Sequence, residues 1–374
     1  VGLATGTGGL LFVLARLLVA AHGDVTLFIV VGSAHSNSEQ LLPGIAFVHG
    51  NGYDGQFYYR IALDPGDLAR DAFGLRMDTV SRFERIGYPT IAWVLAGGRH
   101  SLVPDSLVAT NVLAMGALGV GGALMARDSG RHAMWGAVLA GYWGYLWSAG
   151  RDLTEITAAA FLVFGLYAFR RSRWLLAGFV LLCAVLTKET ATYVVAVLAV
   201  TRLVGWVVKR NRPVVTVEDV AWAMPLIGFA AWQLVVLGAT GSVPLLSSGQ
   251  SNLGVPFVGM IDGFRRTVDN FPATSSLLWL GELAVLIVLA VAAGRFLRES
   301  SAPLHERLAW IAVIILAVSA ANGIWLGDVG FRSLDDAYLF SWLVLLGTSR
   351  RLWFYGGVVV VTWLVVAVEL VRFI

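Results

Sequence analysis

An all-α polytopic membrane protein is what the sequence predicts, and three observations carry the prediction. Of 374 residues, 57% are hydrophobic and 14% charged, with a mean hydropathy of +0.75, whereas soluble domains carry about 25% charged residues. The apolar residues fall in runs near the roughly 20 that cross the hydrocarbon core as helix. The basic residues sit between the runs, so the net charge of +3 reflects orientation in a bilayer and not binding to nucleic acid. The lone cysteine, Cys183, rules out an intrachain disulfide and a cysteine-built metal site.

Taken in order, the apolar runs place about eleven transmembrane helices at 8–30, 104–126, 132–148, 153–169, 174–188, 190–208, 219–239, 276–294, 308–326, 337–348 and 352–371. Alternate connections carry thirteen basic residues: Arg127 and Arg131; Arg170, Arg171 and Arg173; Lys209, Arg210 and Arg212; Arg295, Arg298 and Arg307; Arg350 and Arg351. The opposite short connections carry five, namely Arg151, Lys188, Arg265, Arg266 and Arg332. The positive-inside rule then puts the first set in the cytoplasm, the N-terminus inside and the C-terminus outside. Residues 1–374 read as a single integral-membrane domain with no soluble domain. The glycine-rich stretch Gly116–Gly122 reads as close helix packing.

Two connections exceed turn length, and both fall outside: a first extracytoplasmic loop at 31–103 and a second at 240–275. The first is rich in aromatic residues, and Ser81–Leu95 reads as a short amphipathic segment, Arg82, Glu84 and Arg85 followed by an apolar end, that lies along the membrane surface or packs on the helix bundle. Gln56 to Leu63 reads as the first turns of a helix with an aromatic face toward the bilayer. Mixed charges recur on this side: Asp54, Arg60 and Asp64; Arg151, Asp152 and Glu155; Lys188 and Glu189; Asp262, Arg265, Arg266 and Asp269; Asp328, Arg332, Asp335 and Asp336. They form either a polar pocket at the outer leaflet or solvated loops with local ion pairs, such as Arg151 with Asp152, Lys188 with Glu189 and Arg332 with Asp335.

The most informative stretch is His49-Gly50-Asn51-Gly52-Tyr53-Asp54-Gly55-Gln56-Phe57-Tyr58-Tyr59-Arg60. Glycines at 50, 52 and 55 permit sharp turns and close approach to a ligand. Asp54 between them could accept a proton, although an Asp-Gly turn is common. Within it, Tyr53-Asp54-Gly55-Gln56-Phe57-Tyr58-Tyr59 resembles the first-loop motif of bacterial membrane glycosyltransferases of the GT-C superfamily, the group of mannosyl-, arabinosyl- and aminoarabinosyltransferases that use polyprenyl-phosphate sugars. Leu186-Thr187-Lys188-Glu189-Thr190 resembles a helix-end segment of the same group. The likeness covers roughly 45–95 plus that segment, and elsewhere is one of architecture; residues 1–374 are read without a counterpart of the soluble C-terminal domain that several relatives carry.

The resemblance implies a GT-C-like bundle in the inner (plasma) membrane of a bacterium, with its active site facing outward. It implies inverting transfer of a sugar from a polyprenyl-phosphate-linked donor to the hydroxyl of a glycan, lipid or protein acceptor, with Asp54 as base. Departing phosphate needs fixed positive charge, for which Arg332, Lys188, Arg151 and Arg60 are candidates, arginine because its fork grips two oxygens. Tyr53, Gln56, Tyr58, Glu155 and Glu189 complete the candidate substrate site. A divalent cation is allowed but not demanded; Asp54, Asp152, Glu155 and Asp335 could supply its oxygens. No Walker or dinucleotide motif appears, which argues against a nucleotide-sugar donor. The competing class is a lipid or small-solute transporter or flippase, which would place charged or broken-helix sites near the bilayer midplane.

Overall fold

The computed structural model describes residues 1–208, 215–247, 252–325 and 330–372. Lys209, Arg210, Arg212 and Asp328 lie outside the described residues.

The chain opens with α1 (Gly2–Val19), which ends eleven residues before the expected boundary because His22 and Gly23 turn the backbone to positive φ. The first loop then forms a parallel pair, β1 (Val31–Gly32) with β2 (Phe47–Val48), the helix α2 (Gly55–Leu63), a hairpin of β3 (Asp71–Ala72) and β4 (Leu75–Arg76), and α3 (Gly87–Leu95). Next come α4 (Val103–Asp128), the short α5 (Ala137–Ala140) and α6 (Gly144–Ala149), then α7 (Glu155–Arg170), α8 (Trp174–Thr187), α9 (Ala191–Val208) and α10 (Val220–Thr240). The second loop carries α11 (Val258–Asp269). The chain continues through α12 (Thr274–Phe296), α13 (Leu304–Val318), α14 (Asn322–Trp325), α15 (Asp335–Leu346) and α16 (Trp353–Leu370).

This is a helical membrane protein. Among the described residues five segments are long and apolar enough to cross a bilayer, corresponding to α1, α4 with its leading turn, α10 with its leading turn, α12 and α16. Their outward faces are greasy: Leu3, Leu18, Ile227, Val291 and Phe354 are each more than 60% exposed, a surface that water would not tolerate over such an area. The remaining apolar helices are shorter. The expected span at 132–148 is broken, since glycines at 136, 141 and 144 divide it into a 3-10 turn and the two short helices α5 and α6.

The core runs through α4, α7, α8, α9 and α15, and α15 is buried at every position except Asp336. Gly116 and Gly119 lie in α4 against α1, where a Cβ at 119 would stand 2.0 Å from the Thr5 hydroxyl. α2 corrects an expectation. All nine of its residues are buried, so Phe57, Tyr58 and Tyr59 pack inside the protein rather than facing lipid. The reason is its lack of a polar face wide enough for water and its cover by β4, α3 and α4. The 81–95 segment packs inward through Phe83, Tyr88 and Ala92, the second of its two expected placements, while Trp93, Val94 and Leu95 remain exposed.

Candidate active site

Five separate parts of the chain meet around a cavity of about 800 Å³, within the size range of small-molecule sites. The first loop supplies Tyr53, Asp54 and the turn 78–85; α7 supplies its first residue, Glu155; the α8–α9 junction supplies Lys188, Glu189 and Thr190; α13 and α14 supply an apolar wall; and the segment before α15 supplies Arg332. Of the mixed charges, Asp54, Glu155, Lys188, Glu189, Arg332 and Asp336 line this pocket, whereas Asp262, Arg265, Arg266 and Asp269 do not.

Asp54 stands at the N-terminus of α2. Gly52 before it has φ +66 and lies so close to Gly32 that a Cβ would come within 2.4 Å of that backbone nitrogen. Gly55 after it is pressed on the Arg151 carbonyl, 2.4 Å from where a Cβ would be. Gln56 then ties the turn down, accepting from the Gly32 N–H at 3.0 Å and donating to the Asn51 carbonyl at 2.8 Å. Its role is to hold the turn, and it does not line the cavity.

Two arginines clamp Asp54. Arg82 Nη1 is 3.0 Å from Oδ1 and Arg332 Nη2 2.7 Å from Oδ2. Arg332 also donates to Tyr53 Oη at 3.1 Å and to Glu155, which in turn accepts from Ser148 Oγ at 2.9 Å. Arg82 has a second acid, Asp78, at 2.8 and 3.0 Å, and lies 4.7 Å over the Phe57 ring. Burial by itself would raise the Asp54 carboxyl, but Arg82 and then Arg332, with Arg85 behind them, hold it well below the usual carboxylate range.

Beside this centre, Arg85 forms a two-pronged pair with Glu189 at 2.6 and 2.7 Å and donates to Tyr58 Oη at 2.7 Å. Lys188 pairs with Asp335 at 2.5 Å, both side chains under 5% exposed. The local pairs Lys188–Glu189 and Arg332–Asp335 are therefore replaced by partners far away in sequence. Glu84 lines the same cavity and accepts from Gln233 Nε2 of α10 at 3.2 Å.

Other expected site residues stand elsewhere. Arg60 is fully buried and binds Asp67 at 3.1 Å and the carbonyls of Asp67 and Ala69 at 2.5 and 2.6 Å, closing the turn after α2. Arg151 is sandwiched between Tyr53 and Trp147, 5.1 and 5.0 Å from their ring centres, with no ion pair to Asp152. Tyr58 reaches the site only through Arg85. The four acids expected to share a cation do not converge. Asp54, Glu155 and Asp335 are each taken by an arginine or lysine, and Asp152 is buried outside the cavity. Among the described residues no three His, Cys, Asp or Glu side chains group as metal ligands.

The sequence offered Arg82, Glu84 and Arg85 only as the charged start of the amphipathic 81–95 segment and gave them no place among the site residues. The available signal was three charges within four residues of a loop that already held Asp54. Comparison with known protein families, curated proteins and solved structures gives no match.

Proposed function

We propose that this protein is an inverting glycosyltransferase of the membrane, taking a sugar from a polyprenyl-phosphate-linked donor and passing it to an acceptor hydroxyl outside the cytoplasm. The observation that carries the reading is the clamp of Arg82 and Arg332 on Asp54, facing a cavity with one polar and one apolar wall. Two guanidinium forks in a partly dry site suit a phosphate leaving group. The apolar wall of Val313, Leu316, Ala317, Ala320 and Ile324 suits the first units of a lipid chain. A transporter would place such charges where either face of the membrane could reach them; here they gather at one set of helix ends, the start of α7, the end of α8 and the starts of α9 and α15.

In this reading the chain crosses the bilayer about eleven times, with α7, α8, α13 and α15 as short crossings whose ends leave the cavity recessed below the outer surface. The GT-C resemblance would make Asp54 the base. Held between two cations it is a weak one, and we assign it instead the alignment of Arg82 and Arg332 for the phosphate. As the anomeric carbon–oxygen bond breaks, the growing negative charge on phosphate draws both arginines, and Tyr53 and Glu155 keep Arg332 oriented meanwhile.

The test uses the full chain in detergent with farnesyl phosphate carrying radiolabelled hexoses or pentoses, scored by release of farnesyl phosphate. Arg332→Ala should lower turnover about 10²–10³-fold, the usual cost of losing one oriented charge stabiliser, and raise the donor KM. Arg298→Ala, at the far end of α12, should leave both unchanged. Equal loss in both variants, or loss only with Arg298→Ala, would place the chemistry on the wrong side of the protein.

A further inference from the structure

A transfer centre whose nearest acid is clamped by two arginines still needs a group to take the acceptor's proton. Of the other acids lining the cavity, Asp54 and Asp78 pair with Arg82, Glu155 with Arg332, and Glu189 with Arg85. Asp336 follows directly on Asp335 and lines the cavity beside the buried Lys188–Asp335 pair. Glu84 differs. It is 6% exposed, lines the cavity, and its side-chain partner is the neutral amide of Gln233. Gln233 is itself fixed, accepting the Leu245 N–H at 3.0 Å, so it presents its NH₂ to the carboxylate.

We propose that Glu84 is the general base of the transfer reaction, an inference that rests on the glycosyltransferase reading and fixes which acid performs it. The acceptor O–H bond breaks with its proton passing to the Glu84 carboxylate. The oxygen lone pair forms the bond to the anomeric carbon, and the bond from that carbon to the phosphate oxygen breaks with its electrons leaving on the lipid phosphate. No oxidant or further reactant is needed.

The surroundings suit the task. Against the turn that carries Glu84, α10 presents Gln233 and no charge; the 244–246 turn and α8 present none; α2 presents Tyr58, bonded to Arg85, and Arg60, bound to Asp67. At the α8–α9 junction Glu189 adds a second negative charge, and Arg85 the nearest positive one, already paired to Glu189. Burial first and the Glu189 charge second push the Glu84 carboxyl up to about 7, against Arg85 and the Gln233 hydrogen bond. A base works best with its pKa near the working pH. Asp54, far below it, does not meet that condition.

The experiment measures kcat/KM against pH for the wild-type protein and the variants Glu84→Gln and Gln233→Leu, on the farnesyl-phosphate sugar panel. Wild type should show an acidic limb near pH 7. Glu84→Gln should fall about 10²–10⁴-fold at pH 8, the usual contribution of a general base, and lose that limb while binding farnesyl phosphate as before. Gln233→Leu keeps the carboxyl but removes the bond to its charged form, so its limb should move to higher pH; it serves if Glu84→Gln does not fold. An unchanged limb in either variant overturns the assignment of Glu84 and leaves the glycosyltransferase reading intact. Failure of wild type to turn over any donor or to bind farnesyl phosphate overturns that reading itself. An infrared titration of the protonated carboxyl band adds a test without substrate: a band near pH 7 that Glu84→Gln abolishes supports the assignment, and its absence in wild type refutes it.

Discussion

Replacing Asp54 by asparagine keeps the size of the side chain and removes its charge. Asp54 now offers one oxygen to Arg82 at 3.0 Å and the other to Arg332 at 2.7 Å. Asparagine keeps one acceptor and turns an NH₂ toward the other arginine, donor against donor. Breaking a buried ion pair usually costs about 3–5 kcal/mol. Here the carboxylate side chain is 20% exposed and each arginine keeps a second acid, Asp78 or Glu155, so the loss reduces to that of one charge-assisted bond, about 1.5–3 kcal/mol. The variant should fold, with a lower Tm in detergent and an unchanged elution volume. Turnover of farnesyl-phosphate sugars should fall about 10²–10³-fold, because both phosphate arginines lose their alignment. The acidic limb near pH 7 should persist in the residual activity. Full turnover in Asp54→Asn would show that the clamp does nothing for the reaction; loss of the limb here, with retention in Glu84→Gln, would return the role of base to Asp54.

Lys188→Met leaves the buried Asp335 without its cation, and should destabilise the fold by about 3–5 kcal/mol; the double variant Lys188→Met/Asp335→Leu should recover most of it in thermal melts, and no recovery would mean the pair is not the source of the loss. Gly55→Ala drives a Cβ to 2.4 Å from the Arg151 carbonyl and 2.9 Å from that of Ile29, both backbone, whereas Gly8→Ala meets nothing within 4 Å; only the first should lower the Tm, by the equivalent of about 1–3 kcal/mol. Stability should also depend on pH through Glu84. Its folded carboxyl lies above the ordinary value, so its contribution is complete below about pH 4.5 and is lost as pH rises through about 7; Glu84→Gln should therefore gain Tm over wild type at pH 8 and not at pH 4. In a Cys183→Ala background, an impermeant thiol reagent added outside cells should label Asn51→Cys and spare Asn211→Cys; the reverse would invert the orientation.

Much of the helical plan was legible because a bilayer demands apolar runs of one length, and α4, α10, α12 and α16 start and stop within two residues of where hydropathy places them. The 132–148 run failed that rule for a physical reason. Buried among other helices, α5 and α6 need not satisfy lipid, and glycines can break the run where protein covers the backbone. α2 failed for the same reason in reverse, since aromatic residues that could face lipid face protein instead. At the site, Asp54, Tyr53, Glu155, Lys188 and Arg332 were visible as charged or aromatic residues at the ends of runs, but their partners were not. Spacing along a chain suggests neighbours, so Lys188 suggested Glu189 and Arg332 suggested Asp335; chain closure gave Lys188 to Asp335 and Arg332 to Asp54 and Glu155. Glu84 showed in the sequence only as one of three charges within four residues; what distinguishes it, a neutral partner on α10, comes from chain closure.

The bond from Arg332 to Asp54 spans 278 residues, and that distance has a meaning in time. Synthesis from the N-terminus proceeds at about 5–20 residues per second, so the first loop waits on the order of 15–60 s for its second arginine. Through that interval Arg82, in the same loop, is the cation within reach of Asp54. A chain that stops before α15 therefore holds Asp54 by one of its two arginines and leaves the cavity without the side that Arg332 supplies.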